Sequence, residues 1–274
     1  MSPEFHTSAD VMVRDIPHGA SVALAFGPGS ALEIVRALIR RQVRNLHLIT
    51  VPTGDIAADL LIGAGCVRSV ETSGISLGEF GPAPNFVAAV RTGQLDIRDS
   101  TCPAVYSGLQ AGEKGIPFMP IRGLLGSDIL ANRPDYRIID NPCEPGDAIV
   151  ALPAIRPDFA LIHVARADRN GDLYIGQRPE LRMIAGAAHK TLATAEEITT
   201  APIADDPLLA PACLSALYVT AIAPAPRGAW PLAMPGSYEQ DGEHIADYAR
   251  RARTPEGFTD YLSEMTGIEQ RNAS

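Results

Sequence analysis

The spacing of apolar and polar positions switches between strand-like and helix-like along the first half of the chain. Residues 21–26 form a short apolar run, which predicts a buried strand, and residues 31–41 follow with apolar side chains at helical spacing. The same switch predicts further elements, namely strands at 46–51, 67–70 and 118–121 and helices at 56–62 and 85–91. This alternation predicts an α/β fold, a three-layer α/β/α arrangement with a mostly parallel sheet. In such folds the loops that follow the strands line one rim of the sheet, where ligands bind.

The second half of the chain is less regular and begins with a predicted β-hairpin. Apolar runs at 159–164 and 173–175 enclose a turn, and Asn170-Gly171 is expected to supply the positive backbone φ that a tight turn needs. The remaining predicted elements are a helix at 180–188, strands at 192–198 and 216–222, and helices at 245–251 and 258–265. Residues 138–147 are predicted to be a long surface loop and not a domain boundary. The chain is therefore expected to form one domain over residues 1–274.

The composition argues against several classes of protein. Of the 274 residues, 46% are hydrophobic and 20% are charged, and the net charge of −9 disfavours nonspecific binding to nucleic acid or anionic membranes. No apolar run approaches the ~18 residues of a membrane helix, and the first residues lack the apolar core of a signal peptide. The four cysteines form no C-x-x-C pair, and the six histidines show no metal-binding spacing. We therefore expect a cytoplasmic protein without a metal site and without nucleic-acid or membrane partners.

The loop Gly27-Pro28-Gly29-Ser30, between the first predicted strand and helix, is the first candidate site. Backbone N–H groups in such a loop can face an anion or a carbonyl oxygen. A dinucleotide-binding fingerprint would need a third glycine where Leu32 stands, so that class of site is not supported. The alternative is a tight strand-to-helix turn in which Ser30 is the N-cap of the helix.

A second candidate is Gly74-Ile75-Ser76-Leu77-Gly78, which matches the G-x-S-x-G pattern of a nucleophile elbow. An elbow needs a helix directly after the serine, whereas the glycine- and proline-containing segment 79–84 follows here. We therefore interpret the stretch that starts at Ser73 as a glycine-rich loop near a substrate pocket. A serine hydrolase that uses Ser76 is the less favoured alternative.

Two polar residues near the predicted strand at 118–121 are candidates for substrate contacts. Arg122 follows this strand, so its guanidinium is expected to reach the rim and bind a carboxylate through two hydrogen bonds. The alternative is an ion pair at the surface or at a subunit interface. Gln110 lies on the preceding helix and is expected to donate a hydrogen bond to an acyl oxygen. His163 and Glu196 are interpreted as a hydrogen-bonded core histidine and a charged strand end.

Three stretches of sequence carry a resemblance to a known family. They are DFALIHVARADRNGDLYIG at 158–176, SGLQAGEKGIPFMPIRGLLGSD at 107–128, and YEQDGEHIADY at 238–248, which Met-Pro-Gly precedes. Together they resemble the alpha subunits of family I coenzyme A transferases, and most of all the glutaconate CoA-transferase branch with its ring-cleaving hydrolase relatives. The resemblance extends from about residue 15 to residue 267. It implies the NagB/RpiA/CoA-transferase-like version of the three-layer fold.

The resemblance also implies an activity and a partner. CoA would move between an acyl-CoA and a carboxylic acid, in a heterodimer or heterotetramer with a homologous beta subunit that supplies the catalytic glutamate. This chain lacks the glutamate motif, and Glu71 in Val-Glu-Thr-Ser-Gly is only a weak imitation of it. No cofactor would be tightly bound, since the CoA thioester is the substrate. The alpha chain would wall the acyl pocket with Gly27, Gly29, Ser30, Ser73, Gly74, Ser76, Gln110 and Arg122. A ring-opening hydrolase of a CoA-linked steroid or cyclic fragment is the main alternative.

Overall fold

The computed structural model describes residues 2–267, in which strands and helices alternate largely as the apolar pattern predicts. The strands in chain order are β1 Glu4–Phe5, β2 Ser21–Ala25, β3 Leu46–Val51, β4 Val67–Thr72, β5 Asp96–Asp99, β6 Phe118–Ile121, β7 Arg137–Asp140, β8 Ala148–Pro153, β9 Phe159–Asp168, β10 Leu173–Tyr174, β11 Lys190–Thr199, β12 Cys213–Leu214 and β13 Ala221–Pro224. The α-helices are α1 Ala9–Met12, α2 Leu32–Arg40, α3 Ile56–Gly63, α4 Pro84–Thr92, α5 Cys102–Glu113, α6 Ile129–Asn132, α7 Pro179–Ala187, α8 Gly242–Arg251 and α9 Pro255–Thr266. Within residues 2–267, no helix has the length and apolar character needed to cross a bilayer.

The main sheet has the strand order β1-β13-β11-β9-β2-β3-β4-β5. Each neighbouring pair along this path is parallel. The hairpin of β9 and β10 adds antiparallel pairing, and β10 pairs in turn with β12. Because the chain returns through helices between the parallel strands, the sheet is covered on both sides. The predicted three-layer α/β/α fold with a mostly parallel sheet is confirmed.

Successive residues of the central strands point to opposite faces of the sheet, and a separate group of helices closes each face. Val22 and Leu24 of β2 belong to a buried cluster with α2, α3, α8 and α9. Ala23 and Ala25 of the same strand belong to a second cluster with α5 and α7. Burial on both faces explains why these strands read as continuous apolar runs in the sequence. The parallel pairing of β2, β3 and β4 brings the loops at their carboxyl ends to one rim.

A second, antiparallel sheet has the order β6-β8-β7. The predicted strand at 118–121 is confirmed as β6, and its Pro120 stands on an edge strand, where proline is tolerated. The predicted loop at 138–147 is wrong in its first residues, because Ile138 and Ile139 pair with Val150 and Ile149 of β8. Two apolar residues are too short a run to identify a strand, and the pairing with β8 becomes visible only after folding.

The predicted strand at 216–222 is wrong in its first half. Residues Ala216–Tyr218 form a 3-10 turn, in which Leu217 N–H donates to Ser215 Oγ at 3.4 Å. The strand itself begins at Ala221. Leu217 is 84% exposed, so the apolar pattern in this segment does not reflect burial in the sheet.

The predicted hairpin of β9 and β10 is confirmed, although its turn differs in detail. Gly171 has a φ of 95°, whereas Asn170 is not in the left-handed region. The buried Asp168 carboxylate accepts the N–H groups of Asn170 at 2.8 Å and Asp172 at 3.1 Å. It also accepts the Ile203 N–H at 2.8 Å. An aspartate that bonds the backbone in this way forms an Asx turn, and here it also ties the hairpin to a distant segment.

Candidate active site at the carboxyl ends of the parallel strands

The loops that follow β3 and β4 are joined to each other at the rim of the parallel sheet. Gly54 N–H donates to Gly74 O at 2.9 Å, and Ser76 N–H donates to Gly54 O at 3.1 Å. The hydroxyl of Ser73 donates to Pro52 O at 2.8 Å. The predicted glycine-rich loop therefore lies on the rim, beside the start of α3.

The loop that follows β2 is held at the same rim by Asp55, the N-cap residue of α3. One carboxylate oxygen of Asp55 accepts the Gly27 N–H at 2.7 Å, and the other accepts the Ala57 N–H at 2.9 Å. Burial raises the pKa of the Asp55 carboxyl, while these hydrogen bonds and the Arg178 guanidinium oppose that shift. An aspartate before a helix is a recognisable cap signal, but the sequence contains no sign of the bond to Gly27.

Two further contacts fix this loop from the other side. Arg178 Nη2 donates to Phe26 O at 3.0 Å, and Gly29 N–H donates to Ala233 O at 2.7 Å. Arg178 in turn forms an ion pair with Glu180 at 2.8 Å, at the start of α7. Residues 26–28, which we call the ridge, thus separate two pockets on the rim.

The apolar pocket lies on one side of the ridge and has a volume of about 400 Å³. Three predicted site residues, Gly27, Gly74 and Ser76, line it. Its apolar wall consists of Ile56, Ile75, Leu77, Phe80, Leu232 and Ile245. The carboxylate among the lining residues is that of Asp55, which two backbone N–H groups already occupy. This pocket can enclose an acyl chain, but it offers no free carboxylate of its own.

The hairpin pocket lies on the other side of the ridge and has a volume of about 690 Å³. Its lining comes from β9, from residues 174–178, which begin at the end of β10, and from residues 234–236. The charged groups in the lining, Arg178 and Glu180, are paired with each other. The Met-Pro-Gly stretch that carries part of the family resemblance is therefore a wall of this pocket.

Ser30 does not line either pocket. It is 1% exposed, and its Oγ has no hydrogen-bond partner among the described residues. The prediction that Ser30 caps α2 is wrong, because the N-cap position belongs to Ala31 and no side chain caps the helix. Ser30 is used instead in the turn before the helix, where its N–H donates to Gly27 O at 2.9 Å.

Gln110 and Arg122 also lie outside the two pockets. Gln110 is exposed on α5. Arg122 follows β6, and both its Nε, at 3.1 Å, and its Nη2 donate to the Asp147 carboxylate. The expectation that Arg122 reaches the rim is not met, because β6 belongs to the antiparallel sheet and not to the parallel one. The substrate-binding roles of both residues stay predictions.

Two glutamates differ from each other in their surroundings. Glu71 is 3% exposed and forms an ion pair with Arg133 at 2.9 Å, so it is a buried structural carboxylate. The interpretation of Glu196 as a charged strand end is incomplete, because its carboxylate accepts bonds from His163 Nε2 at 2.9 Å and from the Tyr238 hydroxyl at 2.6 Å. His163 is buried and hydrogen-bonded, as predicted. The sequence alone does not distinguish these two roles, because a glutamate in a strand has the same local pattern in both cases.

Replacement of Ser76 by alanine is expected to leave most of the activity intact. Ser76 is exposed, its Oγ accepts the Gly78 N–H at 3.3 Å, and a 3-10 turn, Gly78–Phe80, follows in place of the helix that an elbow needs. Turnover by Ser76→Ala and by the wild type, each with the beta subunit that the resemblance implies, measures this. Loss of turnover in a variant with an unchanged melting temperature would support a serine hydrolase instead.

Comparison with known proteins identifies the family of this chain. The model of the coenzyme A transferase family matches residues 6–211. A 3-oxoadipate CoA-transferase chain of Pseudomonas knackmussii is 30% identical over 95% of this chain and 93% of its own length. The cholesterol ring-cleaving hydrolase IpdA subunit of Rhodococcus jostii is 29% identical over 96% of this chain and 92% of its own. The crystal structure of glutaconate CoA-transferase from Acidaminococcus fermentans shares the fold, with a TM-score of 0.90, 24% identity and coverage of 97% of this chain and 90% of that one. The match to the family model, together with a full-length relative, shows that the chain belongs to the coenzyme A transferase family.

Proposed function

We propose that this chain is the alpha subunit of a heteromeric enzyme that moves CoA between an acyl-CoA and a carboxylic acid. The observation that carries the proposal is the apolar pocket at the rim, whose lining carboxylate, Asp55, is already bound by two backbone N–H groups. In the proposed enzyme the nucleophilic carboxylate for an acyl group in this pocket would come from another chain. We assign that role to a glutamate of a homologous beta subunit, in a heterodimer or heterotetramer.

In the proposed reaction the partner's glutamate attacks the thioester carbonyl, and CoA leaves as the thiolate. The thiolate then attacks the glutamyl carbonyl of the resulting anhydride, which releases the first acid and leaves a glutamyl–CoA thioester. The acceptor carboxylate repeats the two steps in reverse order and departs as the new acyl-CoA. This chain would enclose the acyl group, with Gly27 and Gly74 as part of the pocket wall. Gly29, Ser30 and Ser73 would support these loops from behind.

A second candidate is a hydrolase that opens a ring of a CoA-linked cyclic compound. It is supported by the similarity to the IpdA subunit, which extends over nearly the full length of both chains. The apolar walls of the pocket suit a cyclic hydrocarbon as well as an open chain. In this case water would replace the acceptor acid, and no CoA would be exchanged between acids.

Trapping the covalent intermediate tests the proposal without knowledge of the natural acid. The complex with the beta subunit would be incubated with acetyl-CoA or glutaryl-CoA, and the masses of both chains would be measured by mass spectrometry. The expected result is a CoA adduct on a glutamate of the beta subunit, together with transfer of labelled CoA to added carboxylic acids. Absence of both the adduct and the exchange, together with ring opening when a CoA-linked cyclic compound is supplied, would favour the hydrolase. An adduct on this chain would contradict the proposal.

Arg122→Ala is expected to lower kcat/KM of the assembled enzyme roughly tenfold, the usual effect of losing one charge-assisted hydrogen bond to a substrate. The Arg122 side chain is 63% exposed, so a carboxylate ligand at the surface would compete with Asp147 for it. Arg122→Lys should recover only part of the loss, because an ammonium lacks the planar fork. Asp147→Asn is the matched control, since it removes the ion pair but keeps the guanidinium. Weak assembly of Arg122→Ala with normal kinetics would show that the residue serves only the interface.

A further inference from the structure

The carboxylate of Glu196 collects donors from three separate parts of the chain. His163 Nε2 on β9 donates to it at 2.9 Å, and the Tyr238 hydroxyl donates at 2.6 Å. The backbone N–H groups of Arg227 and Gly228, which follow β13, donate at 2.5 Å and 3.1 Å. Burial disfavours the charge, but the bonds from His163, Tyr238 and Arg227 outweigh burial, and the pKa of Glu196 lies below its ordinary value.

The residues tied by Glu196 belong to a segment that forms part of both pockets. We call residues 227–240 the wall segment. Leu232, Ala233 and Gln240 from this segment line the apolar pocket, whereas Met234 and its two successors line the hairpin pocket. The wall segment also accepts the Gly29 N–H through Ala233 O at 2.7 Å, so it supports the loop that contains the ridge. Its position therefore affects the shape of both pockets.

The backbone of the wall segment passes very close to the ring of His163. A Cβ added at Gly228 would lie 2.5 Å from His163 Cε1, so only glycine permits this approach. The other ring nitrogen of His163, Nδ1, bonds Thr194 Oγ1 at 2.9 Å, which holds the ring in place against β11. On the far side, Cζ of the Arg227 guanidinium lies over the Tyr238 ring, 5.1 Å from the ring centroid. Glu196 is thus the centre of a network that leaves the wall segment little freedom.

We propose that Glu196 is a positioning residue: its carboxylate fixes the wall segment against the rim and thereby sets the fit of the acyl-CoA in the two pockets. The inference rests on the proposed function for its effect on catalysis, but not for its effect on the segment. Glu196 lines neither pocket, and its carboxylate is occupied by four donors. It therefore acts on the substrate through residues 227–240 and not by direct contact.

Glu196→Gln is the test, because the amide keeps the size of the side chain but has one oxygen to accept the four donors. Hydrogen exchange of the assembled complex should show amides of residues 227–240 exchanging roughly tenfold faster or more, as expected for the loss of a charge-assisted bond. Tyr238→Phe, which removes one donor, should give a smaller increase in the same segment.

Two matched variants separate this role from general loss of stability. Glu197→Gln changes the next residue of β11, whose side chain is 64% exposed and pairs with Arg166 at 3.9 Å. Glu71→Gln removes a buried carboxylate from β4, on the other half of the sheet. Neither variant should accelerate exchange of residues 227–240 selectively. If Glu196→Gln leaves their exchange unchanged, or if Glu71→Gln accelerates it equally, the proposal is wrong.

The kinetic measurement distinguishes positioning from catalysis. With the acyl-CoA that the complex turns over, Glu196→Gln should raise KM roughly tenfold and change kcat much less, since it disturbs the fit and not the reacting groups. A fall in kcat at unchanged KM would overturn the positioning role. Absence of turnover in the wild-type complex would contradict the proposed function alone, because the exchange measurement would still decide whether Glu196 fixes the wall segment.

Discussion

Without a partner the purified chain is expected to show no turnover of acyl-CoA, and activity should appear only when the homologous beta subunit is added. The physical reason is the missing nucleophile. In the apolar pocket the Asp55 carboxylate is held by the Gly27 and Ala57 N–H groups, and the Ser76 hydroxyl lies in a turn without the geometry of an elbow. Titration of this chain with the beta subunit, followed by the rate of CoA transfer to an added carboxylic acid, is the measurement.

The expected titration curve is linear up to a fixed subunit ratio, with no detectable rate at its origin. A beta subunit whose catalytic glutamate is changed to glutamine is the control, because it should assemble normally and restore no activity. Ping-pong transfer of CoA by the purified chain alone would contradict both this prediction and the proposed division of labour between the subunits.

Asp55→Ala is expected to have the largest effect of any single change at the rim. It removes the cap of α3 and the bond to Gly27 together. Loss of a cap costs about 1 kcal/mol and loss of a bond to a charged group about 1.5–3 kcal/mol, so the free energy of unfolding should fall by roughly 2.5–4 kcal/mol. The freed ridge should also lower kcat/KM tenfold or more. Urea denaturation and steady-state kinetics of the assembled enzyme measure the two effects.

Asp59 offers the matched control, because it lies one turn later on the same helix and is also buried. Its carboxylate accepts the Tyr248 hydroxyl at 2.5 Å and the Phe86 N–H at 2.7 Å, so it bonds α8 and α4 and not the ridge. Asp59→Ala should therefore lower stability without a comparable loss of kcat/KM. Equal kinetic losses in the two variants would show that stability, and not the position of the ridge, limits activity.

Much of the fold could be predicted from local pattern because the strands of the main sheet are buried on both faces. β2 is an apolar run and α2 has apolar residues at helical spacing, because these are the positions that the fold buries. The wrong predictions, for residues 138–147 and 216–222, concern segments whose apolar pattern does not match their burial. Leu217 is apolar but exposed, and β7 offers only a short apolar pair to its neighbour.

The site could be predicted only in part, and the reason is again physical. Gly27, Gly74 and Ser76 follow predicted parallel strands, and parallel strands bring their carboxyl ends to one rim, so their shared pocket follows from topology. Arg122 also follows a strand, but that strand lies in the antiparallel sheet, which no local pattern distinguishes. Strand order is a property of the folded chain, since it depends on contacts between residues far apart in sequence.

The sequence by itself determined the family, the alternation of strands and helices and the location of the rim loops, because these depend on local pattern and on motifs formed by contiguous residues. Only the tertiary structure decided which charged residues hold the site together. The bond from Asp55 to Gly27 spans 28 residues, and the bond from Tyr238 to Glu196 spans 42. An isolated aspartate or glutamate looks the same in the sequence whether it is solvated or accepts hydrogen bonds from four donors. Its role is set by the partners that the fold brings within hydrogen-bonding distance.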